Sequence, residues 1–406
     1  MRVIQANKYY YLKGGAERYA FDLAKILERN GDAVVPFAMR SEKNVPTHYD
    51  RFFVSEVQTD RMRFDLEGLR TAGRMLWSFE AAKKFSALAA AFPSDVLHVH
   101  NIYHQISPSI LAVAEQRGIP AVMTVHDYHL VSPNYGLYDQ GKIVEPSVTH
   151  PYWDTLQRRL IGGSTLKSAL SAFEGWMHKV LDAYGHISTF IAPSVFVQEK
   201  LMAYGIPQGK IEVVPHFIDL EQRAPRYESE ARVVFVGRLS QEKGVDVLLR
   251  AMKDVQLLTC VIIGDGPEKE SLHALAKELN LDSVEFLGAL HGEALEHEIA
   301  RAKAIVIPSQ SYETFGLTAL EAYAWGKPVI ASRIGALPEV VREGETGLLF
   351  TPTEPKELAA HLNWLPGSFA RVDAMGRAGR HLAETEYNPG LHLGRIHRIY
   401  KEALKK

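Results

Sequence analysis

From Arg232 onward, six short apolar runs recur at 233–236, 258–263, 284–286, 304–307, 329–331 and 348–350, separated by stretches with helical spacing. Continuous runs of this length, rich in Val and Ile, are what strands buried on both faces require, and helices between them make the strands parallel. The alternation predicts a doubly wound parallel α/β sheet. Ligands of such sheets bind beyond the carboxyl ends of the strands. The residues that follow each run are therefore the first place to look for chemistry.

Four of those strand ends carry unusual residues. After 304–307 a polar loop leads into a helical pattern, with Glu313 before the helix and Glu321 about two turns into it. Thr314 is suited to cap that helix, leaving the backbone N–H groups of Phe315, Gly316 and Leu317 free to face an anion. Carboxylates do not hold phosphate, so Glu313 and Glu321 read as partners for hydroxyls. Phosphate and hydroxyls side by side suggest a nucleotide sugar. After 233–236 come Gly237 and Arg238, with Lys243 on the same loop, a pair able to clamp a diphosphate. Gly264 and Gly266 follow the second run as a turn permitting close backbone approach, and Phe286 and Leu287 end the third.

The remainder reads as a second domain of the same class. With 406 residues the chain exceeds one ordinary core. Residues 1–215 predict one Rossmann-like domain and 216–389 a second, with 215–226 as linker and the helix 390–406 packing back on the first. Gly14 and Gly15 follow the first strand and open a helix, either to admit a phosphate or as a plain tight turn. His100 and Asn101 follow the strand at 95–100, and His126, Asp127 and Tyr128 that at 121–126. The spacings of these histidines match no zinc signature, because alternate strand residues face opposite sides, so no metal site is predicted. Residues 134–151 read as a long loop suited to a lid. Two basic stretches rich in aromatic and aliphatic residues, 61–92 and 155–181, admit either a solvated helix surface or contact with a membrane. The net charge of −2 makes no case for nucleic acid. A lone cysteine, Cys260, excludes an internal disulfide and fits a reducing, cytoplasmic compartment. No apolar signal core opens the chain, and no run approaches a membrane span.

The segments VFVGRLSQEKGVDVLLRAM, IIGDGPE, VEFLGAL, PSQSYETFGLTALEAYAWGKPVIAS and PEVVREGETGLLF resemble the C-terminal domain of the family 4 glycosyltransferases. GGAERY, DVLHVHN, TVHDYHLVSP and FIAPS extend the resemblance into the first half. It implies the GT-B fold, in which two Rossmann-like domains face each other across a cleft. It further implies a retaining, metal-independent transfer of a hexose from a nucleoside-diphosphate sugar (UDP- or GDP-linked) to a glycan or lipid-linked acceptor; peripheral contact at the inner membrane face is a separate expectation from the basic stretches 61–92 and 155–181. By the same resemblance Glu313 holds donor-sugar hydroxyls and Glu321 the ribose. Arg238, Lys243 and the N–H groups of 315–317 neutralise the diphosphate, the base lies near 285–287, Gly15 approaches the donor phosphate, and His126 faces the transferred sugar. His100, Asn101, Asp127 and Tyr128 fall on the acceptor side. The chain departs from the family pattern at His216, where relatives usually carry Asn, at Thr314, often Gly, and in the loop 134–151, which lacks cysteines. A sugar-nucleotide epimerase or phosphorylase of the same fold, and a non-catalytic nucleotide-sugar-binding partner, are the alternatives.

Overall fold

Val3, Ile4, Val96, Leu97, Ala121 and Val122 are all fully buried, as a parallel sheet covered on both faces demands. The computed structural model describes residues 1–57, 73–221 and 223–405. The first sheet contains β1 (Arg2–Ala6), β2 (Ala33–Phe37), β3 (Val96–Val99) and β4 (Ala121–Thr124). A short antiparallel pair, β5 (Tyr138–Asp139) and β6 (Lys142–Ile143), precedes its last strands, β7 (Ile187–Ala192) and β8 (Ile211–Val213). The second sheet is built from β9 (Arg232–Val236), β10 (Thr259–Ile263), β11 (Val284–Gly288), β12 (Ala304–Ile307), β13 (Val329–Ser332) and β14 (Gly347–Phe350).

The strand orders locate the crevices. The first sheet runs β2-β1-β3-β4-β7-β8 and the second β11-β10-β9-β12-β13-β14, every pairing within them parallel. The chain reverses its direction of winding between β1 and β3 in the first sheet and between β9 and β12 in the second. At such a switch point neighbouring crossovers leave to opposite faces, and a ligand-sized crevice opens above the strand ends. The loops at 7–15 and 100–107 flank one crevice; those at 237–243 and 308–316 flank the other.

The helix Pro389–Ala403 leaves the second half and packs on the first sheet. Asn388 caps it, its side chain accepting from Leu391 N, and Ile396, Ile399, Tyr400 and Ala403 enter a core with Val3, Leu23, Val96 and Val122. Burying each aliphatic side chain contributes roughly 1.5–3 kcal/mol, so this helix is part of the first core rather than an appendage. Of the basic stretch 61–92, residues 61–72 lie outside the described residues. The helix Phe79–Ala91 buries Ala81, Phe85, Leu88 and Ala89, and Lys84 Nζ donates to the Arg51 carbonyl at 2.7 Å.

Candidate active site

The turn after β12 differs from its sequence reading in one respect. Thr314 does not cap the helix, which runs Leu317–Ala324 and is entered through Gly316 at φ 102°. A capping side chain must stand immediately before the first helical residue, and Thr314 is two residues too early. Its hydroxyl instead donates to the His126 carbonyl at 3.4 Å, and its own carbonyl accepts from Ser194 Oγ at 2.8 Å. The residue thus joins this turn to the first domain. The left-handed backbone at Gly316 explains the glycine, since a Cβ there would also lie 2.8 Å from Leu337 Cδ2. The N–H groups of Phe315, Gly316 and Leu317 have no acceptor among the described residues. Glu321 consequently sits one turn into the helix, not two.

Opposite this turn, across the β9/β12 switch point, the loop after β9 delivers Lys243. Its ammonium donates to Glu313 Oε1 at 2.7 Å, and Ser309 Oγ donates to the same oxygen at 2.6 Å. Burial works against both charges, yet each partner overcomes it. Glu313 raises the Lys243 pKa above the ordinary lysine value, and Lys243 with Ser309 holds the Glu313 carboxyl below the usual range. Both are therefore ionised at neutral pH. An ammonium has three N–H groups and a carboxylate two oxygens, so Lys243 keeps donors to spare and Glu313 Oε2 is left for another partner. Arg238 is exposed on the same loop and has no carboxylate partner among the described residues. Glu321 carries the opposite signature. Burial raises its pKa, opposed by Arg18 of the first domain and by Arg223.

The turn with Gly264 and Gly266 has a packing role. A Cβ on Gly264 would lie 1.8 Å from the Gly237 carbonyl oxygen, and one on Gly266 2.3 Å from that of Leu239. The two glycines let the β10 turn seat against the loop that carries Arg238 and Lys243. Phe286 packs into one core, its ring stacked 4.0 Å from His273, while Leu287 packs in the opposite core with Leu320 and Leu337. Strand alternation dictates this split.

The first domain faces this arrangement. The helix Gly15–Arg29 starts beside the Leu317 turn, where a Cβ on Gly15 would lie 3.3 Å from Leu317 Cδ1. Gly14 precedes it as an exposed, extended N-cap. His126 Nε2 meets His100 Nδ1 at 3.0 Å. Burial depresses the His126 pKa to about 3, so its ring is neutral and acts as a hydrogen-bonding group. His216 fills the space between the domains, its ring 4.3 Å from Tyr19, 5.7 Å from His126 and 5.1 Å from Phe315. His98 completes the column, hydrogen-bonded to Thr124 Oγ1 at 2.7 Å and to Tyr400 Oη at 2.6 Å. Among the described residues no group of three or more His, Cys, Asp or Glu is arranged to hold a metal ion.

Next to His100, Asn101 is held by its neighbours, its N–H donating to Asn7 Oδ1 and its carbonyl accepting from Lys8 N. Asp127 accepts from Tyr103 Oη and from His129 N; burial raises its pKa, opposed chiefly by Lys8. The Lys8 ammonium lies 4.1 Å over the Tyr103 ring, and burial lowers its pKa. Tyr128 is buried against Phe196 and Tyr312, its hydroxyl without a partner among the described residues. A cavity of about 50 Å³ opens beside these groups, lined by Asn7, Glu17 and His100 among others.

Several contributors were not singled out from sequence. Ser309, which orients Glu313, and Ser194, which holds the Thr314 carbonyl, are serines among many, and nothing in their spacing marks them. Lys8 follows a strand end, so the strand-end rule should have raised it. Glu339 accepts from Val195 N and Phe196 N at 2.8 and 2.7 Å, joining the domains. The loop 134–151 reaches the second domain as well. Tyr138 Oη donates to Gln310 Oε1 at 3.3 Å, and Glu145 Oε1 accepts from Tyr312 Oη at 2.6 Å.

With this geometry in hand, similarity to known proteins can be weighed. Residues 217–381 match the profile described as glycosyl transferases group 1, and residues 13–222 match that of glycosyltransferase family 4. A sulfoquinovosyl transferase of Arabidopsis thaliana is 28% identical over 309 residues, 70% of this chain and 53% of its own length. The chain thus spans little more than half of that relative. A D-inositol 3-phosphate glycosyltransferase of Segniliparus rotundus is 27% identical over 400 residues, covering 90% of this chain and 80% of the relative. Among solved structures, the sucrose-phosphate synthase of Thermosynechococcus elongatus superposes with a TM-score of 0.75 at 21% identity, covering 99% and 98% of the two chains. Anabaena HepE in complex with UDP gives 0.70 at 19%, covering 99% and 100%. At these identities the structural likeness is one of fold, and that fold is GT-B, as the resemblance to family 4 implied. The family 4 profile spans more than half of the 406 residues, and with the two facing parallel-sheet domains it shows that this chain belongs to glycosyltransferase family 4.

Proposed function

We propose that the chain is a retaining, metal-independent hexosyltransferase that draws on a UDP- or GDP-linked sugar and transfers it to a hydroxyl of a glycan or lipid-linked acceptor at the cytoplasmic face of a membrane. One observation carries the reading: Lys243, Arg238, Glu313 and the free N–H groups of 315–317 converge on one strand-end crevice, directly across from Gly15. Breaking the sugar–phosphate bond leaves a nucleoside diphosphate with an added negative charge. Two cations and a helix start aimed at that charge lower the barrier without reorganisation, the type of term that is commonly largest in catalysis. In this reading the cationic pair supplies the charge that a divalent ion supplies in other transferases. Glu313 Oε2 accepts from donor-sugar hydroxyls, and Glu321 from the ribose. A carboxylate already committed to Lys243 and Ser309 is a poor nucleophile, which favours same-face attack over a covalent intermediate. Neutral His126 hydrogen-bonds the transferred sugar, and Asp127, Asn101, His100 and Tyr128 border the acceptor.

The test is to incubate the full chain with UDP- and GDP-hexoses and a panel of glycan and glycolipid acceptors, following nucleoside-diphosphate release and the anomeric configuration of the product by NMR. Acceptor-dependent release with retained configuration is the expected result. Inversion, or interconversion of donor sugars without any acceptor, would overturn the reading.

A further inference from the structure

The helix Thr165–Val180 is inside out. Its buried face carries Ser168, Ser171, Glu174 and His178, all committed to the protein interior. Ser168 Oγ accepts from Ile161 N at 3.1 Å, Glu174 Oε2 meets His104 Nδ1 at 2.8 Å, and His178 Nε2 meets the Leu76 carbonyl at 2.8 Å. Its solvent face carries the hydrocarbon. At about 100° per residue, Leu166, Phe173, Trp176 and Val180, with the half-buried Leu170 and Met177 among them, fall within an arc of roughly 120°. Phe173 and Trp176 are each 49% exposed, Val180 61% and the following Leu181 58%, and Trp153, 57% exposed, lies on the helix Pro151–Gln157 that packs against this one. The Phe173 and Trp176 rings stack on each other at 5.8 Å. Folded proteins rarely leave so continuous an apolar ridge in water without a partner.

The charges around the ridge indicate the partner. Lys167 stands near the start of the helix and Lys179 near its end, and Arg158 and Arg159 lie exposed on the segment before it. The helix has one acidic residue, Glu174, and it is buried against His104; the nearest exposed carboxylate beyond it is Asp182. An apolar ridge with Trp and Phe, flanked by cations, is the composition of a helix that lies in the interface of an anionic bilayer. We infer that the solvent face of this helix, extended by Trp153 and Leu181, docks the protein on an anionic lipid surface. The inference rests on the function proposed above only in that the acceptor would be met at that surface. The same helix grips the acceptor side from within, because Glu174 holds His104, whose backbone stands at φ 63° next to Tyr103.

The experiment is co-sedimentation of the full chain with vesicles of phosphatidylcholine alone and of phosphatidylcholine mixed with phosphatidylglycerol, at low salt and without donor or acceptor. Wild type should sediment with the mixed vesicles. The double variant Phe173→Ser/Trp176→Ser should bind them about tenfold or more weakly, and Lys167→Glu/Lys179→Glu should lose the preference for the anionic lipid. Binding of a nucleoside-diphosphate sugar should be unchanged in both, which separates failure of docking from failure of the donor-site reading. Wild type remaining in the supernatant with both vesicles would overturn the inference, as would variants that sediment like wild type. A wild-type dimer abolished by Phe173→Ser/Trp176→Ser would assign the ridge to a second copy of the chain instead.

Discussion

Lys243 and Glu313 hold each other ionised in a partly buried crevice, and this reciprocity governs what each substitution does. Lys243→Met removes the cation proposed to face the diphosphate and also strands the Glu313 carboxylate beside Ser309. Turnover is expected to fall about 10²–10³-fold, the usual cost of losing one electrostatic contact to the departing charge. The fold should survive, because the pair has side-chain exposures of 31% and 17% and its loss costs on the order of 1–3 kcal/mol. Steady-state release of nucleoside diphosphate and the circular-dichroism melt of the variant check the two statements together. Both residues stood out in the sequence because charged residues on loops after buried strands are conspicuous, but their pairing did not, since the sequence assigned Lys243 to a diphosphate and Glu313 to hydroxyls. Ser309 did not, since a single hydroxyl carries no pattern. Nor did the place of His216, whose contacts with Tyr19, His126 and Phe315 come from three distant parts of the chain.

At the scale of elements, turns and helix ends decide the site. Gly264→Ala would drive a methyl group into the Gly237 carbonyl from a backbone at φ 148°, and should destabilise the chain by roughly 2–4 kcal/mol, read as a lowered midpoint in urea. The C-terminal helix offers a second check. Tyr400→Phe leaves buried His98 Nδ1 without its partner and is expected to cost about 1–3 kcal/mol by the same measurement, with donor binding intact. Periodicity revealed that helix and its apolar face but not its docking hydrogen bonds. The start of the helix Leu317–Ala324 was misread for a physical reason: Thr at an N-cap and Gly in a left-handed N-cap are both good solutions, and only the fold of the preceding turn selects between them. The segment 132–182 was least legible, because the helix Thr165–Val180 reverses the usual rule and buries its polar face.

For the whole molecule, two parallel sheets with their switch points facing each other bring the loops of both halves to one cleft. The column of buried histidines between them makes the assembly sensitive to acid. Burial lowers the pKa values of His98, His126 and His392 to about 3, and those of His100, His129 and His216 also well below the ordinary value. The unfolded chain takes up protons at these rings below its pKa of about 6.5 while the folded chain does not, so their contribution is fully present above that value and drains away as pH falls toward 3. Each ring costs up to about 1.4 kcal/mol per pH unit in that window. Buried Asp127 and Glu321, with raised pKa values, act in the opposite sense and offset only part of it. Tm should therefore drop by several degrees between pH 7.5 and 5.5 in a melting series, and a flat profile would show that the column opens to solvent. The alternation of strands and helices made the two sheets legible from sequence, whereas the contacts across the cleft, such as Glu339 with the N–H groups of Val195 and Phe196, depend on how the sheets meet. The claim that rests on all of this is that the crevice at Lys243, Glu313 and Leu317 holds the diphosphate of a sugar donor opposite Gly15. A thermal-shift titration of the full chain with UDP, GDP and their hexose conjugates tests it most directly. At a hundredfold excess over Kd a specific ligand adds about 2.7 kcal/mol of stability. At least one nucleotide should raise the wild-type Tm by a few degrees, and Lys243→Met or Gly15→Val should abolish the shift; no shift with any of them, or an equal shift in the variants, would contradict the account.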